Sequence, residues 1–288
     1  MPKPQSEQLS SVNRYQNAAL NYYLQLTGSP YLHYGYWEPL PTSVAERSLF
    51  KLQIAQEAYS QKLLNFIPPE TKSVLDVGCG IGGNAVFLLK QGLKVDGLAP
   101  DSFQKKKFLE ATEGKAIFHD MKFEDFTATQ AYDLVLLSES SQYMASGDIA
   151  QGAAKILKPG GYLLLADMLR SDMDYTEGIF SNCHVVEDLN KSLSQSGFIL
   201  IKQEDISQQV APTLDLAIEH FRQFGLSTGE YIGTLIKIAV PPLYALLNWA
   251  YKRWLQKAIA EGLAARTIFD KHLCYEIQLW QLSEGNNS

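Results

Sequence analysis

Val74-Leu75-Asp76-Val77-Gly78-Cys79-Gly80-Ile81-Gly82-Gly83 decides the fold. A short β-branched and apolar run, as in a strand buried on both faces of a parallel sheet, leads into four glycines. Asn84 to Gln91 then continues with a helical pattern. Glycines at such a strand-to-helix turn let the backbone approach a ligand, because a Cβ would collide or forbid the turn. The spacing Gly78, Gly80, Gly83 also satisfies the dinucleotide fingerprint, so the glycines alone do not choose the ligand. Asp76 does. A pyrophosphate would be repelled by a carboxylate beside its cradle, whereas the ammonium group of a methionine moiety would be attracted to it.

Working outward, strand-like runs recur at Lys94–Leu98, Ala116–Phe118, Leu134–Leu137, Tyr162–Ala166 and Phe198–Glu204, with helical patterns between most of them. This alternation implies an α/β fold with a doubly wound, mostly parallel sheet. Upstream, Arg14–Leu26 and Val44–Phe66 read as helices flanking the aromatic stretch Tyr31–Trp37, and Pro68-Pro69 ends the pattern. Downstream, Ala211 to about Ala265 has helical period, and Lys271–Leu282 returns to alternation with Leu273, Tyr275, Ile277 and Leu279 on one face. The expectation is a seven-stranded sheet with N-terminal helices and a helical cap inserted before the last strand. Residues 1–69 would form a helical and aromatic lid, 70–210 the core, 211–268 the cap, and 269–288 the last strand and tail.

With 288 residues and 46% hydrophobic content, the chain can bury a full core and an elaboration on it. A net charge of -6 gives no basic face for a phosphate backbone, so nucleic acid is excluded as the expected substrate. Cys79, Cys183 and Cys274 are odd in number and far apart, which suits a reduced cytoplasmic setting and gives no metal-ligand spacing. Met1 to Ser11 offers neither a signal core nor an anchor. Ile238–Ala250 is an uncharged run of 13 residues broken by Pro241-Pro242, short of the ~20 that cross a bilayer. It reads first as a buried cap helix, with a membrane-touching face or a substrate lid as the alternatives.

The first stretch resembles the leading motif of the class I S-adenosylmethionine-dependent methyltransferases, here residues 74 to 82. Lys155-Ile-Leu-Lys-Pro-Gly-Gly-Tyr162 resembles the turn before their fifth strand, and Tyr132-Asp133-Leu134-Val135 the start of their fourth. Leu32-His33-Tyr34-Gly35-Tyr36-Trp37 and the late helical insertion are similar to the branch containing sterol, tocopherol and prenyl-diphosphate C-methyltransferases and the cyclopropane fatty-acid synthases. The resemblance implies S-adenosylmethionine as donor, S-adenosylhomocysteine as product, and a small acceptor.

By that resemblance Asp76, Gly78, Cys79, Gly80 and Gly82 would hold the donor's methionine end, and Ser138 would line its sulfonium. Tyr34 would close over it. Gly97-Leu98-Ala99-Pro100-Asp101-Ser102-Phe103-Gln104 matches the segment whose glutamine bonds the ribose, so Gln104 takes that role and Ala99 stands where many relatives have an acid. Phe123-Glu124 resembles the aromatic-acidic pair on adenine, with Asp120 competing for the polar role. Glu139 aligns with a glutamate of sterol-type relatives that could steady positive charge or take a proton. Methyl transfer from a sulfonium is an in-line displacement in which a base is optional, and His33 and His184 are further base candidates. Tyr36, Trp37, Gln142, Tyr143 and Trp249 are expected to face the acceptor, which their apolar surface makes lipid-like or natural-product-like. A peripheral membrane contact is compatible with this picture. The competing readings are a nicotinamide oxidoreductase on the same glycine loop and a cofactor-binding protein without catalysis.

Overall fold

The computed structural model describes residues 27–128 and 132–283, so the helix expected over Arg14–Leu26 lies outside the described residues. A helical turn at Val44–Glu46 precedes α1 (Leu49–Leu64). The single helix expected there is split because Ser48 adopts an extended conformation and caps α1, its side chain accepting from the Lys51 N–H. Then come β1 (Ser73–Val77), α2 (Gly83–Lys90), β2 (Lys94–Leu98), α3 (Ser102–Ala111), β3 (Ile117–His119) and β4 (Tyr132–Ser138). The core closes with α4 (Ser146–Ile156), β5 (Leu157–Arg170), α5 (Val186–Gln195) and β6 (Phe198–Asp205). The insertion holds α6 (Ser207–His220), α7 (Ser227–Ala239), α8 (Pro241–Ala250), α9 (Gln256–Leu263) and α10 (Ala265–His272), and β7 (Leu273–Leu282) follows.

The seven strands form one sheet in the order β3-β2-β1-β4-β5-β7-β6. Strands β1 to β5 run parallel, and β7 is antiparallel to both β5 and β6. The strand order reverses between β1 and β4, the point at which open α/β sheets open a crevice beyond their carboxyl ends. Alternate residues feed two buried layers. Val74, Leu134, Leu136 and Leu164 pack on one face, and Leu75, Val135, Leu163 and Leu165 on the other. Burial on both faces explains why these strands read as continuous apolar runs.

The amino ends of the central strands are clamped by Asp133. Its Oδ2 accepts from the Lys72 and Ser73 N–H groups and from Ser73 Oγ, and its Oδ1 accepts from Lys158 Nζ at 2.6 Å. These bonds hold its carboxyl down to about 2, against the opposing effect of burial. The Lys-Pro-Gly-Gly turn sits beside this clamp, with Gly160 at φ +73°, far from the sheet's ligand edge. Its role is structural.

The last strand forms as expected, and β7 lies between β5 and β6 with its first eight residues buried. Its polar side chains satisfy one another, Gln278 Nε2 donating to Glu276 at 2.6 Å and Trp280 Nε1 to Gln278 Oε1 at 2.9 Å. One expectation needs correction: the apolar run Ile238–Ala250 is not a buried cap helix, since no described residue of α7 or α8 is buried. Those helices pack on each other. The base of the insertion is tied down instead by Arg47 with Glu219 and by Arg266 with Asp215.

Candidate active site

A cleft of about 670 Å³ opens where β1, β2 and β4 end. Its floor is the glycine loop. Gly78 (φ +75°) and Gly80 (φ +54°) are left-handed, and a Cβ on Gly78 would lie 2.3 Å from Ser140 Cβ. The loop is glycine for conformation and for space at once. Ser140 completes the floor by donating from Oγ to the Val77 carbonyl at 2.6 Å.

Asp76 is the penultimate residue of β1, beneath this loop. It is 2% exposed and lines the cleft, yet its Oδ2 has no hydrogen-bond partner. Burial alone pushes its carboxyl up to about 7. A buried acceptor without a partner costs about 1–3 kcal/mol, more when charged, so the position fits a group that brings a donor with it. A cationic ammonium meets that requirement. A pyrophosphate does not.

Glu139 begins the loop after β4 with a left-handed φ of +55°, uncommon for a residue with a side chain. Its N–H donates to the Ala166 carbonyl at 2.9 Å, which holds it there. The side chain points into the cleft wall. Its Oε1 accepts from the Tyr34 N–H and from Tyr275 Oη, both at 2.7 Å. Burial nevertheless dominates and raises the carboxyl to about 8. Tyr59 Oη lies 2.8 Å from Tyr275 Oη, and Tyr275's own proton is used on Glu139, so Tyr59 donates along the chain.

The sequence candidates divide clearly. His33, Asp76, Gly78, Cys79, Gly80, Ala99, Gln104, Phe123, Glu124, Ser138, Glu139, Gln142 and Tyr143 all line the cleft. Gly82, left-handed with Phe108 3.0 Å from a Cβ built on it, supports the loop from behind. Phe123 also closes the core, its ring filling the space above Gly152. Asp101 is the N-cap of α3, accepting from the Gln104 N–H at 2.8 Å.

Other candidates stand outside the lining. Asp120 faces Lys105 Nζ at 3.6 Å on the surface, and Tyr34 supports the site from behind, its backbone N–H on Glu139 and its ring edge-on to Tyr275 at 5.8 Å. Tyr36 and Trp37 do not face the cleft. Tyr36 is buried under Lys62, and Trp37 packs on Leu52, Ala55 and Leu216 while its Nε1 donates to Thr213 Oγ1 at 2.9 Å. Their apolar surface is spent on anchoring the N-terminal strap to α1 and α6. Trp249 sits on exposed α8, whose residues do not contribute to the cleft.

The two histidines are engaged by the protein. His33 stacks on Tyr59 at 4.3 Å, donates from Nδ1 to the Tyr34 carbonyl at 2.8 Å, and has Nε2 3.1 Å from Asn84 Oδ1. Burial lowers it to about 4, so it is neutral. His184 donates from Nε2 to the Ser141 carbonyl at 2.9 Å. Beside it Asp167, raised by burial to about 6, accepts from Ser141 N and Oγ.

Sequence reasoning missed Asp167, Tyr59 and Tyr275. An aspartate within the otherwise apolar run Leu163–Leu169 was the available signal for the first. Nothing local marks the two tyrosines. Pro30, Tyr31 and Leu32, packed against Gly83 and Gly80, also line the cleft and were not singled out within the segment expected to close over it.

Comparison with known proteins gives the family. Residues 52–221 match the family described as the methyltransferase domain. The chain belongs to that family. A methyltransferase of Streptomyces halstedii, GfsG, is 27% identical over 240 residues, covering 76% of this chain and 84% of that protein. The solved [4+2]-cyclase SpnF superposes with a TM-score of 0.70 at 18% identity, over 95% of this chain and 96% of that one. Geranyl diphosphate C-methyltransferase from Streptomyces coelicolor A3(2), solved with geranyl diphosphate and S-adenosylhomocysteine, gives 0.68 at 14% identity, over 98% and 100%. At these identities the structural neighbours speak for the fold, and that fold is the class I methyltransferase fold expected from the glycine loop.

Proposed function

We propose that the cleft binds S-adenosylmethionine, with its ammonium group on Asp76, and that a small apolar acceptor is methylated beside Glu139. The orphaned, desolvated Oδ2 of Asp76 at the floor of a glycine cradle carries this reading. Gly78 and Gly80 admit the methionine backbone, Gln104 reaches the ribose, and Phe123 with Glu124 flanks the adenine. The bound donor supplies a methyl group already activated on sulfur, so the protein's task is alignment and exclusion of water.

The acceptor side is formed by Leu32, Glu139, Gln142, Tyr143 and Met144, an apolar rim with two polar groups, which suits a lipid-like or natural-product molecule. Glu139 is the group proposed to act there. Its raised carboxyl changes charge near working pH, the condition under which a base for a hydroxyl acceptor is most effective. His33 and His184 position the strap and the loop after β4. The same carboxylate at Asp76 argues against a nicotinamide dinucleotide.

Calorimetric titration tests the donor, with S-adenosylmethionine binding and NADH not binding as the expected result. Incubation of the protein and donor with an extract of the source cells, followed by mass spectrometry, should reveal a product heavier by one methylene. Donor binding without any such product would leave a cofactor-binding protein and refute catalysis.

A further inference from the structure

The insertion's outer part, residues 221–258, contains no buried side chain among the described residues. Of the 26 large apolar residues exposed among those described, 13 fall between Phe221 and Leu255. Ile238, Leu246 and Trp249 are the most open on its tip and second helix, at 76%, 60% and 56%. Apolar side chains exposed in this number on two adjoining helices mark an interaction site.

The backbone of the tip is prepared for an apolar medium. A helix start normally leaves N–H groups without partners, which hydrocarbon penalises by several kcal/mol each. Here Pro241 and Pro242 open α8 and have no N–H. Val240 N donates to Ile236 O at 2.8 Å, Leu243 N to Val240 O at 3.0 Å, and Tyr244 N to Val240 O at 3.2 Å. Every N–H from Val240 to Tyr244 is therefore absent or satisfied without water.

Charge is distributed to match. In a chain of net charge -6, residues 221–263 carry Arg222, Lys237, Lys252, Arg253 and Lys257 against only Glu230 and Glu261. Ile238 to Tyr251 is uncharged, and Lys237 and the Lys252-Arg253 pair bracket it. The ten residues of α8 span about 15 Å, too short to cross a hydrocarbon core ~30 Å thick. No helix among the described residues is long and apolar enough to cross a membrane.

We propose that this hairpin lies along the surface of an anionic bilayer, its exposed apolar side chains set into one leaflet and Lys237, Lys252 and Arg253 at headgroup level. The inference does not depend on the proposed chemistry of the cleft. Flotation of the full chain with vesicles tests it, comparing phosphatidylcholine alone with an equal mixture of phosphatidylcholine and phosphatidylglycerol. Binding is expected to the mixture, and far less to phosphatidylcholine. Each headgroup-level cation contributes roughly fivefold, so Lys252→Gln with Arg253→Gln should lower partitioning about 25-fold. Ile238→Asp with Leu246→Asp should abolish it while leaving donor affinity and the far-ultraviolet dichroism unchanged. These four side chains are exposed, so the variants test binding and not folding. Failure to float, or equal binding to both vesicle types that the glutamine pair does not weaken, would overturn the proposal. So would a dimer in solution that the aspartate pair dissociates without any vesicle binding, which would make a second copy the occupant of this face.

Discussion

The hydroxyl of Tyr275, on the last strand, donates at 2.7 Å to the same Glu139 oxygen that receives the N–H of Tyr34 from the N-terminal strap. One carboxyl oxygen thus joins three parts of the chain that are remote in sequence. The strap before the sheet, the loop after β4 and the strand beyond the insertion must all be in place for Glu139 to be held where it is. The left-handed backbone at Glu139 is tolerated because these bonds, with its own N–H on Ala166, determine its position.

This arrangement predicts a pH profile. Glu139 is raised to about 8 by burial, while both of its hydrogen bonds favour the carboxylate. If it takes a proton from the acceptor, turnover rises with pH through about 8, and Glu139→Gln removes that limb. Tyr275→Phe deletes a bond to the charged form, so the limb should move to higher pH with donor affinity unchanged. Steady-state rates from pH 6 to 10 check this, and a Tyr275→Phe profile identical to that of the wild type would disconnect the tyrosine from the chemistry.

Asp76 gives a second profile, of opposite consequence for stability and binding. Its folded-state value, about 7, lies above the unfolded one, so the ligand-free protein loses stability as pH rises from the ordinary carboxylate range through 7. Asp76→Asn should therefore raise the melting temperature of the ligand-free protein at pH 8, while Asp76→Ala weakens S-adenosylmethionine binding by about 1–3 kcal/mol. In the wild type, affinity should increase through pH 7 as Asp76 ionises and fall as the donor's α-amino group loses its proton near ~8. Calorimetry from pH 5.5 to 9 reads both limbs, and an affinity that ignores Asp76 in a folded variant sinks the assignment.

The sheet was legible because its signals are local. Continuous apolar runs, a glycine loop and Asp76 lie within a few residues of one another, and burial on both faces leaves little choice of period. Most donor-side candidates follow from the same locality, since they sit at strand ends. Tyr36, Trp37 and Trp249 misled because aromatic surface has the same composition in a core, on a pocket wall or on an exposed hairpin. Only the tertiary neighbours separate these, and for Trp37 they are Leu52, Leu216 and Thr213. The Tyr59–Tyr275–Glu139 chain had no sequence signal, because its members are 136 and 216 residues apart.

At the adenine end, Phe123 has a double role that sets which variant is informative. Phe123→Ala would open a cavity beside Gly152 and cost about 3–5 kcal/mol of stability, confounding any binding measurement. Phe123→Leu keeps most of the core contact and loses the aromatic face, so donor affinity should fall by about 0.5–1.5 kcal/mol. Glu124→Gln, on an exposed residue that can still accept a hydrogen bond, should cost less. Asp120→Asn should cost nothing, since Asp120 faces Lys105 outside the cleft. A larger loss for Asp120→Asn than for Phe123→Leu would place the adenine elsewhere.

Trp37 separates anchoring from substrate contact. Its ring is 5% exposed among Leu52, Ala55 and Leu216, and its Nε1–H is used on Thr213. The adjoining Trp37 N–H donates to the Gln209 carbonyl at 2.9 Å, so backbone and side chain both fasten the strap to α6. Trp37→Ala leaves a cavity and removes one of the two donors to the Thr213 hydroxyl, the Gly35 N–H being the other, and should destabilise the protein by about 3–5 kcal/mol. Trp37→Phe retains most of the packing but loses the hydrogen bond, a cost of about 0.5–1.5 kcal/mol. Neither change touches the cleft lining, so at a temperature where the phenylalanine variant is folded its acceptor KM should equal that of the wild type. Denaturant melts alongside initial rates measure the two effects separately. A phenylalanine variant of unaltered stability but raised acceptor KM would return Trp37 to the pocket and show that the strap closes over the acceptor in a way that its anchoring here does not require.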